Sequence, residues 1–185
     1  MKITDEQIVE TEVIDHTGRP LVVYHGTCSE FHTFSDIYLQ SLGFHFGDKS
    51  QANYFAGTTV GARVIPVYLV IRNLIDIRPS DAGWLRPKQT AICLCGADFL
   101  TFPEASAIVG SNNLSLADHR ELEPQVVRQE RNRKIIVALE AKGFDGILYT
   151  NKQEPGDGIG RDAYLVFHSH QIYSAITYEC LSDGN

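Results

Sequence analysis

At 185 residues the chain has room for one ordinary domain, with a core that needs neither metal nor disulfides to hold it. Its 16 Lys plus Arg against 23 Asp plus Glu leave a net charge of −7, which excludes a global electrostatic footprint for non-specific nucleic-acid binding. Its apolar and charged fractions exclude a fibrous or broadly disordered chain.

The opening Met1-Lys2-Ile3-Thr4-Asp5-Glu6 lacks the apolar stretch of a signal peptide, and no later run reaches membrane-spanning length. A cytoplasmic location in the producing cell is expected, with no membrane partner; delivery into another cell is compatible with the same sequence. Cys28, Cys93, Cys95 and Cys180 are unpatterned and read as reduced thiols, and Cys93-Leu94-Cys95 lacks the two-residue spacing of a zinc pair, so no metal is expected.

Thr4-Asp5-Glu6-Gln7 has the form of a capping box and predicts a short first helix. Val13-Ile14-Asp15 and Leu21-Val22-Val23-Tyr24 are strand-like, and His16-Thr17-Gly18-Arg19-Pro20 between them predicts a hairpin with His16 in its solvated turn. The second strand stops abruptly in His25-Gly26-Thr27. A histidine where a buried strand opens into a loop is well placed to bind a ligand, because the strand fixes it and the loop leaves it accessible.

Gly43-Phe44-His45-Phe46-Gly47 is a second short aromatic run bracketed by glycines. After it, Asp48 in the N-cap role and Gln51 at the reciprocal position predict a helix through Tyr54 to Gly57, whose N-terminus favours negative charge.

Arg63 to Asn73 is apolar, β-branched and too short for a membrane, which predicts a central strand; Leu74 to Arg78 either extends it or turns back as another. Ser80 to Glu123 reads as either a mobile lid or an insertion of short helices. Pro124 then opens a helix whose apolar stripe is Val127, Ile135, Ile136 and Leu139, ended by Gly143. Its cluster of Arg128, Arg131, Arg133 and Lys134 reads first as a solvated face and second as a contact for phosphate or an acidic partner.

Gly146 to Tyr149, Tyr164 to Phe167 and Ile172 to Tyr178 predict closing strands around a glycine-rich loop from Asn151 to Arg161. The class is therefore α+β, in one domain over residues 1–185 with 80–123 as its insertion or lid. His32 and His119 read as surface residues, His168 and His170 as caps on the core edge, and Tyr24 and Tyr68, taken alone, as core aromatics.

The run from Asp15 to Thr27 resembles the first motif of bacterial and phage ADP-ribosyltransferase-like domains. Gly43 to Gly47 with Ala52-Asn53-Tyr54 resembles the second. Phe144 to Asn151 with Glu154, and Tyr164-Leu165-Val166-Phe167 leading to Gln171 through Ala175, are similar to the closing motifs. Four motifs in the family's order carry the resemblance from about Asp15 to Ala175.

The resemblance implies a split β-sandwich of the poly(ADP-ribose) polymerase type, with short helices and a helical or irregular middle insertion. It also implies NAD as substrate and a protein or nucleic-acid acceptor. His25 would bond the nicotinamide-side ribose, the Gly26 backbone would meet the carboxamide, and Tyr54 would stack on the nicotinamide ring. Tyr24, Thr27 and Phe46 would complete the NAD-binding set.

Two departures follow from the same motifs. His45 stands where the polymerases have a second stacking tyrosine, and Ala163 stands where a catalytic Glu precedes the Tyr-Leu-Val-Phe strand. Glu154 is the first choice to replace that acid, with Gln171 and Asp162 as the other candidates. With His25 and His45 both assigned catalytic roles, the alternatives to ADP-ribosyl transfer are an NAD-dependent RNA 2'-phosphotransferase, an NAD glycohydrolase, or a degenerate module that binds NAD or a partner without turnover.

Overall fold

Four antiparallel ladders and one parallel pair organise the described residues. In the computed structural model, which describes residues 10–38, 41–78, 80, 82–153 and 156–183, the first sheet has the order β1-β3-β7, from β1 (Val23–Thr27), β3 (Arg63–Leu69) and β7 (Ile172–Ser174). The second has the order β2-β6-β5-β4, from β2 (Phe44–Phe46), β6 (Arg161–Val166), β5 (Gly146–Asn151) and β4 (Leu74–Asp76). The capping box at Thr4-Asp5-Glu6-Gln7 lies outside the described residues, as does Glu154.

The sheets are stitched together at one point, where Tyr24 of β1 and Gly47 just after β2 exchange both backbone hydrogen bonds, at 2.9 and 3.0 Å. Between them lies a core of Val23, Phe46, Val67, Leu69, Leu148, Tyr164, Val166 and Ile172. The fold is α+β, the split sandwich expected. The predicted hairpin is reduced to a bridge between Ile14 and Pro20, and Leu74–Asp76 is a separate strand rather than an extension of β3.

Among the described residues four α-helices complete the layers: α1 (Lys49–Ala56), α2 (Pro87–Gly96), α3 (Phe102–Val109) and α4 (Gln125–Glu140). Asp48 caps α1 as expected, accepting from the amides of Ser50 and Gln51 at 2.7 and 2.8 Å while the Gln51 carbonyl accepts from the Asp48 amide at 2.7 Å. Helix α1 lies on the outer face of the first sheet, against β1 and β3.

Helices α2, α3 and α4 form the crossover that parallel strands such as β4 and β5 require. They cover the other face of the second sheet, burying Trp84, Leu94, Ile108, Ile135 and Leu139 against Ile147, Tyr149, Ala163 and Leu165. The stretch from residue 80 to 123 is thus largely a packed layer. The side chains of α4 depart from the expected stripe: its buried residues are Arg128, Asn132, Ile135 and Leu139. Arg128 is therefore not part of a solvated face, whereas Lys134 is, paired with Glu130 at 2.9 Å.

Candidate functional site

The site begins with an accident of register. Tyr24 opposes Pro66 across the β1–β3 ladder, and proline has no N–H, so the hydrogen-bonded pairs of that ladder are Val23–Val67, His25–Ile65 and Thr27–Arg63. Tyr24 and Gly26 consequently aim their backbone groups at the opposite edge. Tyr24 meets Gly47 there, and beyond Gly47 the chain turns into α1, so the N–H and C=O of the buried Gly26 point to this edge past the last paired residue of β2. A backbone donor and acceptor side by side on one strand edge match a carboxamide.

Gly26 is also dictated by packing. A Cβ at this position would lie 2.0 Å from the Ala52 carbonyl oxygen, so α1 rests directly on the β1 backbone. Thr27, buried, closes the strand end by accepting from the Ser29 amide at 3.1 Å and donating to the Ser29 carbonyl at 3.2 Å.

His25 points into the space between the sheets, edge-on to Phe34 with centroids 5.1 Å apart and near Phe46 at 5.5 Å and Phe31 at 6.0 Å. Its Nδ1 is 2.9 Å from the His45 carbonyl oxygen. A carbonyl only accepts, so Nδ1 carries the proton and Nε2 is left as an acceptor. Burial pushes the His25 pKa below its ordinary value, with the bond to His45 opposing. The ring is a neutral, oriented acceptor, suited to a hydroxyl donor.

His45 behaves differently. Phe44 and Phe46 flank it in β2 and face the inter-sheet core, so its side chain emerges on the other face, against Trp84 and Tyr149. Ser41 Oγ donates to the Gly43 carbonyl at 2.7 Å, so at 3.1 Å from His45 Nε2 it accepts; Nδ1 in turn accepts from the Tyr149 hydroxyl at 3.0 Å. Both ring nitrogens are consumed by the protein. The two histidines meet through a main-chain carbonyl rather than sharing a pocket, so His45 is no second stacking wall beside His25.

Burial, and secondarily the nearby His25, lowers the His45 pKa to about 4. An unfolded histidine near 6.5 takes up its proton first, so this group's contribution is present at neutral pH and lost as pH falls from about 6.5 toward 4. The linkage predicts a loss of about 2 kcal/mol between pH 7 and pH 5. Urea unfolding at both pH values checks it: the loss should shrink in His45→Asn, and an unchanged loss would assign the acid sensitivity elsewhere.

Tyr54 is 56% exposed on α1, with its phenol close to the backbone of Gly156, where a Cβ would lie 3.0 Å from the Tyr54 hydroxyl oxygen. Arg161 binds Asp157 at 2.7 Å and reaches Asp48, the α1 cap, at 3.3 Å. The loop before β6 is therefore docked on α1 beside Tyr54. Phe46 is a core residue opposite Tyr164, and Tyr24 contributes the seam through its backbone.

Ala163 is 2% exposed and packs in the helix-facing core beside Tyr149, so its place offers no acid to the seam. Asp162 points to the opposite face, bound to Arg78 at 2.8 Å, which also binds Asp76 at 2.6 Å.

Gln171 is turned to another task. Its carbonyl accepts from the amides of Phe167 and His168 at 3.1 and 3.0 Å, and its NH2 donates to the carbonyls of Val70 and Asp145 at 3.2 and 2.7 Å. Val70 lies five residues along the strand path from Ile65, the partner of His25, or roughly 17 Å at the usual rise per residue. The amide is filled and remote from His25, a structural arrangement rather than one poised for the seam. Gln171→Glu should destabilise the chain by about 3 kcal/mol, because a carboxylate cannot donate to those two carbonyls, and should not raise turnover. A gain in turnover would assign the residue to catalysis.

One residue was read only as a cap. Gln51 is 2% exposed; its oxygen serves Asp48, but its Nε2 is buried without a hydrogen-bond partner, next to Gly47 at the seam. A capping glutamine uses only its oxygen, and the spare NH2 was the available signal. His168 links Asp36 and Glu140 at 3.2 and 2.8 Å and stacks on His170. Among the described residues no group of His, Cys, Asp or Glu could hold a metal ion, no helix is long and apolar enough to cross a membrane, and no cysteine forms a disulfide.

The family model of the ADP-ribosyltransferase in polyvalent proteins matches residues 15–180, so the chain belongs to that family of NAD-using transferases. No curated protein and no solved structure matches it.

Proposed function

We propose that the protein transfers ADP-ribose from NAD to a macromolecular acceptor and releases nicotinamide. The observation that carries this reading is the edge of β1 away from β3, where the Gly26 N–H and C=O lie one residue from the His25 ring, whose Nδ1 is fixed on His45 and whose Nε2 accepts. NAD is the substrate, with the carboxamide on Gly26 and the Gln51 NH2, a ribose hydroxyl donating to His25 Nε2, and the Tyr54 ring stacked on the nicotinamide.

In the reaction the C1'–N bond to nicotinamide breaks, its electron pair leaves with the neutral ring, and an acceptor nucleophile bonds to C1' while losing its proton. The transition state is oxocarbenium-like, so negative charge beside the ribose accelerates it. Glu154 is assigned that charge. It precedes Gly156, which touches Tyr54, whereas Asp162 is held by Arg78 and Gln171 is filled.

Incubating the purified chain with labelled NAD and cell lysate tests the reading: labelled acceptor and free nicotinamide are expected, and neither should form with Glu154→Gln. Free ADP-ribose without labelled acceptor would indicate a glycohydrolase, and a cyclic phosphate product an RNA phosphotransferase. The placement of His45 behind β2 weighs against the two-histidine phosphotransferase. Ala163 favours the degenerate reading, a module that binds NAD without turnover; unchanged NAD over long incubation with calorimetric binding would establish it.

A further inference from the structure

We propose that the first half of α4 holds a phosphate-type oxyanion between Arg128 and Asn132, in the helical layer and apart from the NAD site. These residues are 9% and 4% exposed, one helical turn apart on the stripe that continues into Ile135 and Leu139. Arg128 Nε and both polar atoms of the Asn132 side chain are buried without a hydrogen-bond partner. Leaving such groups unpaired is costly, and a guanidinium nine-tenths buried costs most of all.

The surroundings point to negative charge. Glu123, just before α4, is already shared by Lys88 at 3.2 Å and Arg131 at 3.0 Å, and Arg131 also donates to the Ile108 carbonyl. Lys88 and Arg131 thus share one carboxylate, and Arg128, on the same helix as Arg131, forms no ion pair among the described residues, in a chain of net charge −7. Pro124 gives the helix no side-chain cap, and long side chains on a helix lean toward that end.

The donor set narrows the ligand. Arg128 Nε and Asn132 Nδ2 need acceptors, whereas Asn132 Oδ1 needs a donor. Hydrogen phosphate or a singly protonated phosphomonoester supplies both, through its oxygens and its P–O–H; carboxylate and sulfate supply acceptors only. A single water could bridge the three atoms but would leave the Arg128 charge without a counter-charge.

Thermal unfolding of the full chain in inorganic phosphate, against chloride at matched ionic strength, tests the site independently of NAD turnover. Tm should rise saturably, by about 5 °C at a hundredfold excess over Kd, and clearly less in sulfate. The saturable part should disappear in Arg128→Gln and Asn132→Ala and persist in His25→Ala. An O-phosphoserine arm separates the sources: an equal rise assigns the site to phosphate carried on another molecule, and a rise with inorganic phosphate alone assigns it to the free ion.

Equal, non-saturable rises in all the proteins would overturn the proposal in favour of trapped water. A saturable rise that survives Arg128→Gln but is lost in His25→Ala would overturn it in favour of the NAD groove. Should the variants fail to fold, the Asn132 side-chain amide of the unmodified chain remains decisive: its NMR cross-peak should shift on titration with phosphate, and an unmoved cross-peak refutes the site.

Discussion

His25→Ala is expected to cut nicotinamide release by about 10²–10³-fold while leaving a folded chain. The ring is half-buried against Phe31, Phe34 and Phe46, so truncation costs packing, on the order of 2 kcal/mol, too little to unfold a domain of ordinary stability. Catalysis loses more, because the bond to the His45 carbonyl fixes Nε2 as the acceptor, and no neighbour duplicates an oriented imidazole. His25→Asn, shorter but still polar, should recover part of the binding and little of the rate. Single-turnover assays read both effects, and a variant that folds and releases nicotinamide at the original rate would remove His25 from the chemistry.

Gly26→Ala is expected to destabilise the chain by more than about 4 kcal/mol, or to abolish folding. The added methyl would sit 2.0 Å from the Ala52 carbonyl oxygen, and both partners are backbone, one in a strand and one in a helix, so no side chain can swing aside. Relief requires moving α1, which carries Tyr54 and Gln51. Any folded remainder should therefore bind NAD poorly. Gly18→Ala is the control: its methyl would meet nothing within 4 Å, and its cost is the strain of φ +80°, about 1 kcal/mol. Urea midpoints of the two variants measure the contrast; similar midpoints would mean that α1 yields easily and that Gly26 is not fixed by packing.

The parts of the site legible in the sequence are those whose causes are local. Asp48 and Gln51 at capping spacing foretold α1, and Val-Val-Tyr-His-Gly-Thr foretold a strand delivering His25 to its end. The orientation of His45 was also legible in principle, since a residue between two core phenylalanines in a strand faces away from them. Its position in a familiar motif suggested the opposite.

Causes distant in sequence were hidden. Gln171 finds its acceptors 101 and 26 residues away, at Val70 and Asp145. Arg128 falls at helical spacing with Asn132, Ile135 and Leu139, yet its place in a cluster with Arg131, Arg133 and Lys134 argued for solvent, and only the packing of the helical layer buries it. The direction of the Gly26 backbone groups depends on Pro66 standing opposite Tyr24 across the ladder, a pairing the sequence does not announce.

The most direct test of the central claim is a crystal structure of the chain with NAD. The carboxamide is expected on the Gly26 N–H and C=O, a ribose hydroxyl on His25 Nε2, and the nicotinamide ring against Tyr54. NAD seated away from the Tyr24–Gly47 seam, or crystals that take up none at saturating concentration, would contradict it.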